Sequence, residues 1–308
     1  MKLGFLYAGQ GSQHAGMGAD LYEKYPIFRA AFDEAETDFD LKKVCFEDPE
    51  GLINQTKYTQ PCMVAFAVGM TDLLKEKGMV PTVAAGLSLG EYSALYAAGV
   101  FERKTAVELA AFRGDAMQRA AEGTDSAMIA VLGLDRAALS EACTEASALG
   151  TVVIANYNCP GQLVLGGQKD AVEKAAALAK EKGAKRCMPL KVSGPFHTPY
   201  MAPAGEELKA YFQTVDFREM EIPVIFNCLG DVKPKETTIQ ELLVRQVQSS
   251  VYMEDSIRRM IGTGVDAIVE IGPGKALSGF LKRIDPQMKV YNVETAEDVE
   301  KLVAELED

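Results

Sequence analysis

Short apolar runs alternate along the chain with longer stretches of helical periodicity, and glycine-containing turns separate them. The pattern predicts strands at 3–7, 80–85, 222–227 and 267–271, and helices at about 20–35, 59–77, 91–98 and 103–121. Thr59 is predicted to cap the second of these helices, with Pro61 in its first turn. Repeated strand-turn-helix alternation is typical of a parallel sheet with helices on both faces. We therefore expect an α/β fold.

The segment 127–192 has a different pattern, in which the predicted elements are a strand at 128–132, a helix at 136–149, strands at 152–156 and 163–166, a helix at 169–182 and a strand at 186–192. This β-α-β-β-α-β order is that of the ferredoxin-like unit. We expect residues 126–192 to form a small subdomain, inserted into a large α/β domain made of residues 1–125 and 193–308, with a substrate cleft between them. The acidic stretch 294–308 is predicted to be a solvated helix.

The pentapeptide Gly86-Leu87-Ser88-Leu89-Gly90 lies between a predicted strand and a predicted helix. In this G-x-S-x-G pattern the chain turns sharply, so that the serine hydroxyl is exposed while the glycines avoid a clash. The free N–H groups and the dipole at the helix N-terminus can stabilise a developing oxyanion. Ser88 is therefore the candidate nucleophile.

A serine nucleophile needs a base, and the chain has only two histidines, His14 and His197. His197 follows Gly194-Pro195-Phe196 in a loop whose glycine and prolines restrict the backbone. An imidazole can take up and return a proton near neutral pH, so His197 is the candidate base. The alternative is that it only packs beneath the loop. His14 is expected to cap or solvate the turn at 10–13.

Arg113 lies on the predicted helix 103–121 in register with its apolar positions. A guanidinium on a core-facing stripe needs an anion, which is either a carboxylate of the protein or one of the substrate. The segment Gly9-Gln10-Gly11-Ser12-Gln13 follows the first strand and lacks a phosphate-loop motif. It could supply a second N–H group to an oxyanion hole.

Composition excludes several classes of function. The chain has 308 residues, 48% of them hydrophobic, and a net charge of −12, which argues against nucleic-acid binding. No apolar run is long enough to span a bilayer. The six cysteines include no C-x-x-C pair, so we expect free thiols in a reducing cytoplasm rather than disulfides or a metal site.

Five motifs in a fixed order carry a family resemblance: Phe5-Leu6-Tyr7-Ala8-Gly9-Gln10-Gly11-Ser12-Gln13, Tyr58-Thr59-Gln60-Pro61, Gly86-Leu87-Ser88-Leu89-Gly90-Glu91-Tyr92, Gly194-Pro195-Phe196-His197 and Glu270-Ile271-Gly272-Pro273-Gly274. Together they resemble the malonyl-CoA:acyl-carrier-protein transacylases of bacterial type II fatty acid synthesis. The resemblance covers essentially the whole chain and implies a large α/β-hydrolase-like core domain. The same fold serves as the acyltransferase domain of polyketide synthases.

The resemblance implies a role for each matched residue. Ser88 would carry the acyl group, His197 would be its base, and the backbone N–H groups of Gln10 and Leu89 would form the oxyanion hole. Arg113 would hold the malonyl carboxylate, and the backbone carbonyl of Gln246 would orient the histidine in place of an aspartate.

Two further roles and one departure concern the acyl pocket. The resemblance implies that Gln60 lines this pocket and that Phe196, directly before the histidine, goes with malonyl selection. The family usually has histidine directly before the serine, whereas this chain has Leu87. That difference bears on acyl preference and turnover rather than on the nucleophile and its base.

The implied reaction moves a malonyl group from malonyl-CoA to the phosphopantetheine thiol of acyl carrier protein by a ping-pong mechanism, without a metal or a redox cofactor. We expect a monomer that contacts neither nucleic acid nor membrane. Because carrier protein is acidic in this family, two basic groups are candidate docking sites: Lys180, Lys182, Lys185, Arg186 and Lys191, and Lys275, Lys282 and Arg283. An ordinary solvated face is the alternative for each.

Three alternative functions remain at this point. A serine esterase or thioesterase shares G-x-S-x-G, but its histidine usually lies near the C-terminus, whereas His197 precedes more than a hundred residues. A scaffold that only docks carrier protein would not need Ser88, His197 and Arg113 together. A trans-acting acyltransferase of a polyketide pathway has the same residues.

Overall fold

Two β-sheets organise the protein. The computed structural model describes residues 1–307, and the side chains of residues 1–306. Within this range the strands are β1 (Leu3–Tyr7), β2 (Pro81–Gly86), β3 (Ser126–Leu132), β4 (Val152–Cys159), β5 (Gln162–Gln168), β6 (Arg186–Pro189), β7 (Val224–Phe226), β8 (Asp231–Val232), β9 (Val251–Tyr252), β10 (Ala267–Ile271) and β11 (Lys289–Val293).

Helices cover both sheets. They are α1 (Ala19–Lys24), α2 (Pro26–Asp33), α3 (Thr56–Glu76), α4 (Gly90–Ala97), α5 (Arg103–Ala121), α6 (Arg136–Ala146), α7 (Lys169–Glu181), α8 (Ala202–Tyr211), α9 (Ile239–Val247), α10 (Met253–Ile261), α11 (Ala276–Ile284) and α12 (Ala296–Glu307).

The first sheet has the strand order β11-β10-β1-β2-β7-β8, and all its pairs are parallel except β7 with β8. All five residues of β1 are buried, as are those of β10, because apolar side chains leave both faces of the sheet. Tyr7 pairs with Gly86, so the carboxyl ends of β1 and β2 lie side by side. The expectation of an α/β fold with parallel strands is confirmed.

The second sheet has the order β6-β3-β5-β4-β9 and is antiparallel except for the pair β4 and β9. Its strand β9 comes from outside the segment 126–192, and Tyr157 of β4 pairs with Tyr252 of β9. Sequence analysis missed β9 because a two-residue strand has no periodicity to detect. The segment 126–192 is therefore joined to the rest of the chain by strand pairing as well as by the chain crossings.

The helix that contains Pro61 begins earlier than predicted. It starts at Thr56 after Gln55, so the prediction that Thr59 is its N-cap was wrong. The Thr59 hydroxyl lies inside the helix and donates to the carbonyls of Ile53 and Gln55. Burial of most of α3 outweighs the local preference of threonine and proline for a helix start.

Other element boundaries also differ from the prediction. The helix expected at 20–35 is two helices, because Tyr25 before Pro26 adopts an extended conformation. The helix expected at 136–149 ends at Ala146 and continues as a 3₁₀ turn, the strand expected at 186–192 ends at Pro189, and the strand expected at 222–227 spans Val224–Phe226.

The C-terminal helix α12 is amphipathic rather than fully solvated as predicted. Val299 and Leu302 are buried in the main core, while Glu297 and Lys301 form an exposed ion pair. Residue 308 of the predicted helix lies outside the described residues. Apolar residues spaced three apart place one face of the helix on the core.

Candidate active site

Ser88 lies on the sharp turn between β2 and α4. Its φ angle is +52°, in the left-handed region that non-glycine residues rarely adopt. A Cβ atom on Gly86 would lie 2.1 Å from the carbonyl carbon of Gly90, and one on Gly90 would lie 2.4 Å from the carbonyl oxygen of Tyr7. Both glycines are therefore required for this turn to pass beside β1.

The imidazole of His197 faces the serine hydroxyl. Ser88 Oγ and His197 Nε2 are 2.6 Å apart, and His197 Nδ1 is 2.9 Å from the carbonyl oxygen of Gln246. Because a carbonyl can only accept a hydrogen bond, Nδ1 carries the proton and Nε2 is free to accept one from the serine. His197 also has a positive φ angle, +60°, so both partners of this pair have a strained backbone.

The environment keeps the imidazole neutral. His197 is buried, and burial together with the positive charge of Arg113 lowers its pKa to about 4. The hydrogen bond to the Gln246 carbonyl acts in the opposite direction. At neutral pH the side chain is therefore an unprotonated base.

Arg113 of α5 is fully buried and lies behind the serine. Its Nη2 is 3.2 Å from Ser88 Oγ and 3.0 Å from Gln246 Oε1, and its Nη1 is 2.9 Å from Gln60 Oε1. These partners are all neutral, and Nε has no partner among the described residues. The guanidinium also lies over the ring of Tyr92. The contacts therefore do not support a structural ion pair between Arg113 and a carboxylate of the protein, which was one of its two interpretations.

Two backbone N–H groups near the serine are free. Among the described residues, the amides of Gln10 and Leu89 donate to no other protein group. The amide of Ser88 itself is occupied, since it donates to Asn227 Oδ1 at 2.6 Å. The turn after β1 and the start of α4 therefore supply one free donor each beside the nucleophile.

A cavity of about 600 Å³ opens in front of the serine. Its wall contains Gln10, Ser88, Phe196 and His197, and on the opposite side residues of the second sheet and of the segment after β6: Met128, Asn156, Asn158, Val164, Leu190, Lys191 and Val192. The cavity therefore lies between the two sheets, as the sequence predicts for a substrate cleft.

Three of the predicted site residues lie behind this wall rather than on it. Gln60, Arg113 and Gln246 are buried and bond to one another and to Ser88. Leu87 does line the cavity, and a Cβ on Gly9 would meet its carbonyl oxygen at 2.5 Å, so Leu87 packs tightly against the turn after β1. Gln60 thus supports Arg113 instead of forming the cavity surface.

Sequence analysis missed two functional candidates, Asn227 and Asn158, and the side-chain role of a residue that it did name, Gln246. The side chain of Gln246 connects Arg113 to the backbone carbonyl of Ser88. Asn227, directly after β7, bonds to the turn that carries Ser88. Asn158 lines the cavity, and its buried Oδ1 has no partner among the described residues. A buried polar side chain next to an apolar strand was the available signal for Asn227.

The described residues contain neither a metal site nor a helix that could span a membrane. Within residues 1–307, no group of histidine, cysteine and acidic residues has the arrangement of a metal site, and no helix has the length and apolarity needed to cross a membrane. All six cysteines are free thiols, and five of them are buried, as predicted.

Comparisons with known proteins agree with this geometry. Residues 4–305 match the acyl transferase domain family. The malonyl CoA-acyl carrier protein transacylase of Bacillus subtilis is 41% identical over 100% of this chain and 98% of that protein. The solved structure of the Streptococcus pneumoniae MCAT is 44% identical, with a TM-score of 0.94 over 99% of this chain and 100% of that one.

A third similar protein was solved with a partner. It is a malonyl-transacylase in complex with a type II polyketide synthase acyl-carrier protein, and it is 35% identical with a TM-score of 0.94 over 99% of this chain and 100% of that one. Fold, identity and coverage agree across all three comparisons. The chain therefore belongs to the acyl transferase domain family and, within it, to the malonyl CoA-acyl carrier protein transacylases.

Proposed function

We propose that this protein transfers the malonyl group of malonyl-CoA to the phosphopantetheine thiol of acyl carrier protein in fatty acid synthesis, through an ester on Ser88. The observation that supports the residue roles most strongly is that one hydroxyl has a base and a cation beside it. Ser88 Oγ is 2.6 Å from His197 Nε2 and 3.2 Å from Arg113 Nη2. The first contact activates the nucleophile, and the second provides a partner for the acid end of the acyl chain.

In the loading step Ser88 Oγ forms a bond to the thioester carbonyl carbon while its proton passes to His197 Nε2. The carbonyl oxygen becomes an oxyanion that accepts hydrogen bonds from the amides of Gln10 and Leu89. The C–S bond then breaks, and the CoA sulfur takes the proton from His197. Gln246 holds the ring through its backbone carbonyl.

Arg113 recognises the malonyl carboxylate. A buried guanidinium that bonds only to neutral oxygens gains more from a carboxylate, which accepts two N–H groups at once. The carboxylate would replace the contacts to Ser88 Oγ and Gln246 Oε1, which are 3.2 and 3.0 Å long. Phe196 on the cavity wall limits the space beside the acyl chain.

The second half of the reaction reverses the first. The carrier-protein thiol gives its proton to His197 and its sulfur attacks the ester carbonyl, which releases Ser88. One similar transacylase was solved in complex with a polyketide-synthase carrier protein. This complex is the observation that supports the alternative of a role in a polyketide pathway. A higher kcat/KM for a polyketide carrier protein than for a fatty-acid carrier protein would identify that role.

We also infer an α/β-hydrolase-like core made of residues 1–125 and 193–308, and a ferredoxin-like subdomain at 126–192. The order β6-β3-β5-β4 supports the second part, since it places the first and third strands of the unit in the centre. A monomer, a cytoplasmic location and catalysis without a cofactor remain predictions from the sequence and the family.

The proposal is tested by mixing the enzyme with malonyl-CoA in the absence of carrier protein and analysing the peptides by mass spectrometry. We expect a malonyl adduct on the peptide that contains Ser88, and none in Ser88→Ala. Ser193→Ala is a matched control, because Ser193 also lines the cavity and its hydroxyl, among the described residues, bonds only to that of Thr56.

Two outcomes would contradict the proposal. One is an adduct on any residue other than Ser88. The other is rapid hydrolysis of the ester without an acceptor thiol, which is the behaviour of the thioesterase alternative. Transfer to carrier protein faster than to water supports the proposed function.

A further inference from the structure

Asn227 forms hydrogen bonds on both sides of the nucleophile. Its Oδ1 accepts the amide N–H of Ser88 at 2.6 Å, and its Nδ2 donates to the carbonyl oxygen of Gly86 at 2.7 Å. The residue directly follows β7, which pairs with β2, and it is fully buried. One rigid side chain therefore connects the residue two before the serine with the serine itself.

The backbone of Asn227 is anchored as well. Its N–H donates to Glu91 Oε2 at 2.5 Å, and its carbonyl accepts the N–H of Tyr252 at 2.9 Å. All four polar groups of this residue thus have partners, as a fully buried asparagine requires. Glu91 belongs to the first turn of α4, the helix that starts at Gly90, two residues after Ser88.

We propose that Asn227 is a positioning residue for the reaction: it holds Ser88 in its left-handed conformation and keeps the Ser88 amide away from the oxyanion site, and Glu91 fixes Asn227 in place. The proposal rests on the proposed function of Ser88 as the nucleophile. Asn227 and Glu91 would thus support the turn that carries Ser88 independently of His197, Arg113 and Gln246.

The strain at Ser88 explains why such a clamp is needed. A serine at φ +52° relaxes toward ordinary backbone conformations unless surrounding bonds prevent it. Rotation of the peptide between Leu87 and Ser88 would break the bond to Asn227 Oδ1 and would move Oγ relative to His197 Nε2. It would also turn the Ser88 N–H group, which Asn227 Oδ1 now holds.

Glu91 acts here as a neutral acid. It is fully buried, only Oε2 has a partner among the described residues, and burial raises its pKa to about 8, with the Asn227 amide and Arg113 acting in the opposite direction. The titratable or charged groups that face it are Arg113 from α5, Tyr92 of its own helix and Cys228 after β7. A glutamine keeps the acceptor oxygen and has no charge, so it should replace Glu91.

The test compares Asn227→Asp, Glu91→Gln and Glu91→Ala with the wild type. For each variant we would measure kcat and KM for malonyl transfer, the rate at which a fluorophosphonate labels Ser88, and the melting temperature. Asn227→Asp keeps the acceptor for the Ser88 amide but loses the donor to Gly86. We expect kcat and the labelling rate to fall about 100-fold, with KM changed by less than about threefold.

Asn292→Asp is the matched control. Asn292 is also an asparagine of the first sheet. Its Nδ2 donates to Glu270 and Ser278, which are far in sequence from the turn that carries Ser88. It should lower the melting temperature while leaving kcat unchanged. For Glu91 we expect Glu91→Gln to retain kcat within about threefold and Glu91→Ala to lose at least about tenfold.

The proposal is overturned if Asn227→Asp lowers only the melting temperature, or raises KM with kcat and labelling unchanged. It is also overturned if folded Glu91→Gln loses as much activity as Glu91→Ala. Failure of the proposed function looks different, because then the wild type forms no malonyl ester. The fluorophosphonate still reports the geometry of Ser88 in that case, since it carries no malonyl group.

Discussion

In the proposed mechanism, three side chains that are far apart in the sequence carry out the chemistry at the residue scale. Ser88, Arg113 and His197 come from the start of α4, the middle of α5 and a loop, and the charge of one alters the acidity of another. Arg113 lowers the pKa of His197, so a carboxylate that neutralises Arg113 makes His197 a stronger base. In the proposed function, recognition of malonyl and activation of the serine are therefore electrostatically linked.

Replacing Arg113 tests its role in selectivity. In Arg113→Ala we expect kcat/KM for malonyl-CoA to fall roughly 100- to 1000-fold, because a buried carboxylate loses a bidentate cation. Loading of acetyl-CoA, which has no carboxylate, should fall much less. The measurement is the rate of ester formation on Ser88 with each thioester, and equal losses for both would show that Arg113 only supports the fold.

The same variant tests the pKa of His197. The base must be unprotonated, so wild-type kcat/KM should stay level from pH 8 down to about 5 and decline as the pH falls through about 4. Removal of the positive charge in Arg113→Ala raises the pKa of His197, so the acid limb should move to higher pH. We would record the pH profile with acetyl-CoA, and an unmoved limb would contradict the electrostatic link.

At the element scale, the edge strand β6 leads into residues 190–193, which form one side of the cavity. Met188, Leu190 and Val192 are exposed there, and Lys185, Arg186 and Lys191 are exposed next to them. Lys182, which the sequence groups with these residues, instead binds Glu141 and Glu145 of α6. An apolar stripe beside exposed cations suits an acidic protein partner with an apolar contact patch.

Charge reversal tests this surface. In the double variant Lys185→Glu with Arg186→Glu we expect KM for carrier protein to rise about tenfold or more, and KM for malonyl-CoA to stay unchanged. Lys182→Glu is the matched control from the same segment, because its cation already has protein partners. Steady-state kinetics with each substrate varied in turn make the comparison, and equal behaviour of the two reversals would remove the docking site.

At the scale of the whole molecule, the relative position of the two sheets sets the width of the cavity. Arg136 of α6 bonds to Glu254 and Asp255 of α10, and its guanidinium lies 4.9 Å from the centre of the Tyr157 ring. Tyr157 in turn stacks on Tyr252, at 4.9 Å between ring centres. These contacts join β4, which carries Asn156 and Asn158, to the part of the chain outside residues 126–192, which carries Ser88.

Arg136→Met removes these contacts at one point. We expect a loss of stability of about 1 kcal/mol, since Arg136 is partly exposed and its ion pairs are screened, together with a higher KM for malonyl-CoA. Arg119→Met is the control. Arg119 also binds two carboxylates, Asp115 and Glu207, but all three residues lie outside the segment 126–192. Thermal melting and kinetics of both variants would reveal whether KM responds only to Arg136.

The amino-acid sequence by itself determined the fold class and pointed to the three side chains for which we propose a role in the reaction. The buried parallel strands have continuous apolar runs, the serine turn has its two glycines, and the chain has few histidines, so local pattern was sufficient in each case. The helical register of Arg113 predicted its burial, although an ion pair and a substrate contact remained equal alternatives until its partners were known.

Only the tertiary structure decided how these groups are supported. The helix that contains Pro61 extends back to Thr56 because packing along the whole helix outweighs local capping preference. Strand β9, the side chain of Gln246 and the clamp formed by Asn227 and Glu91 depend on contacts between residues more than ninety positions apart. Such contacts have no local signature, because they form only after the two sheets have packed and buried polar groups have found their partners.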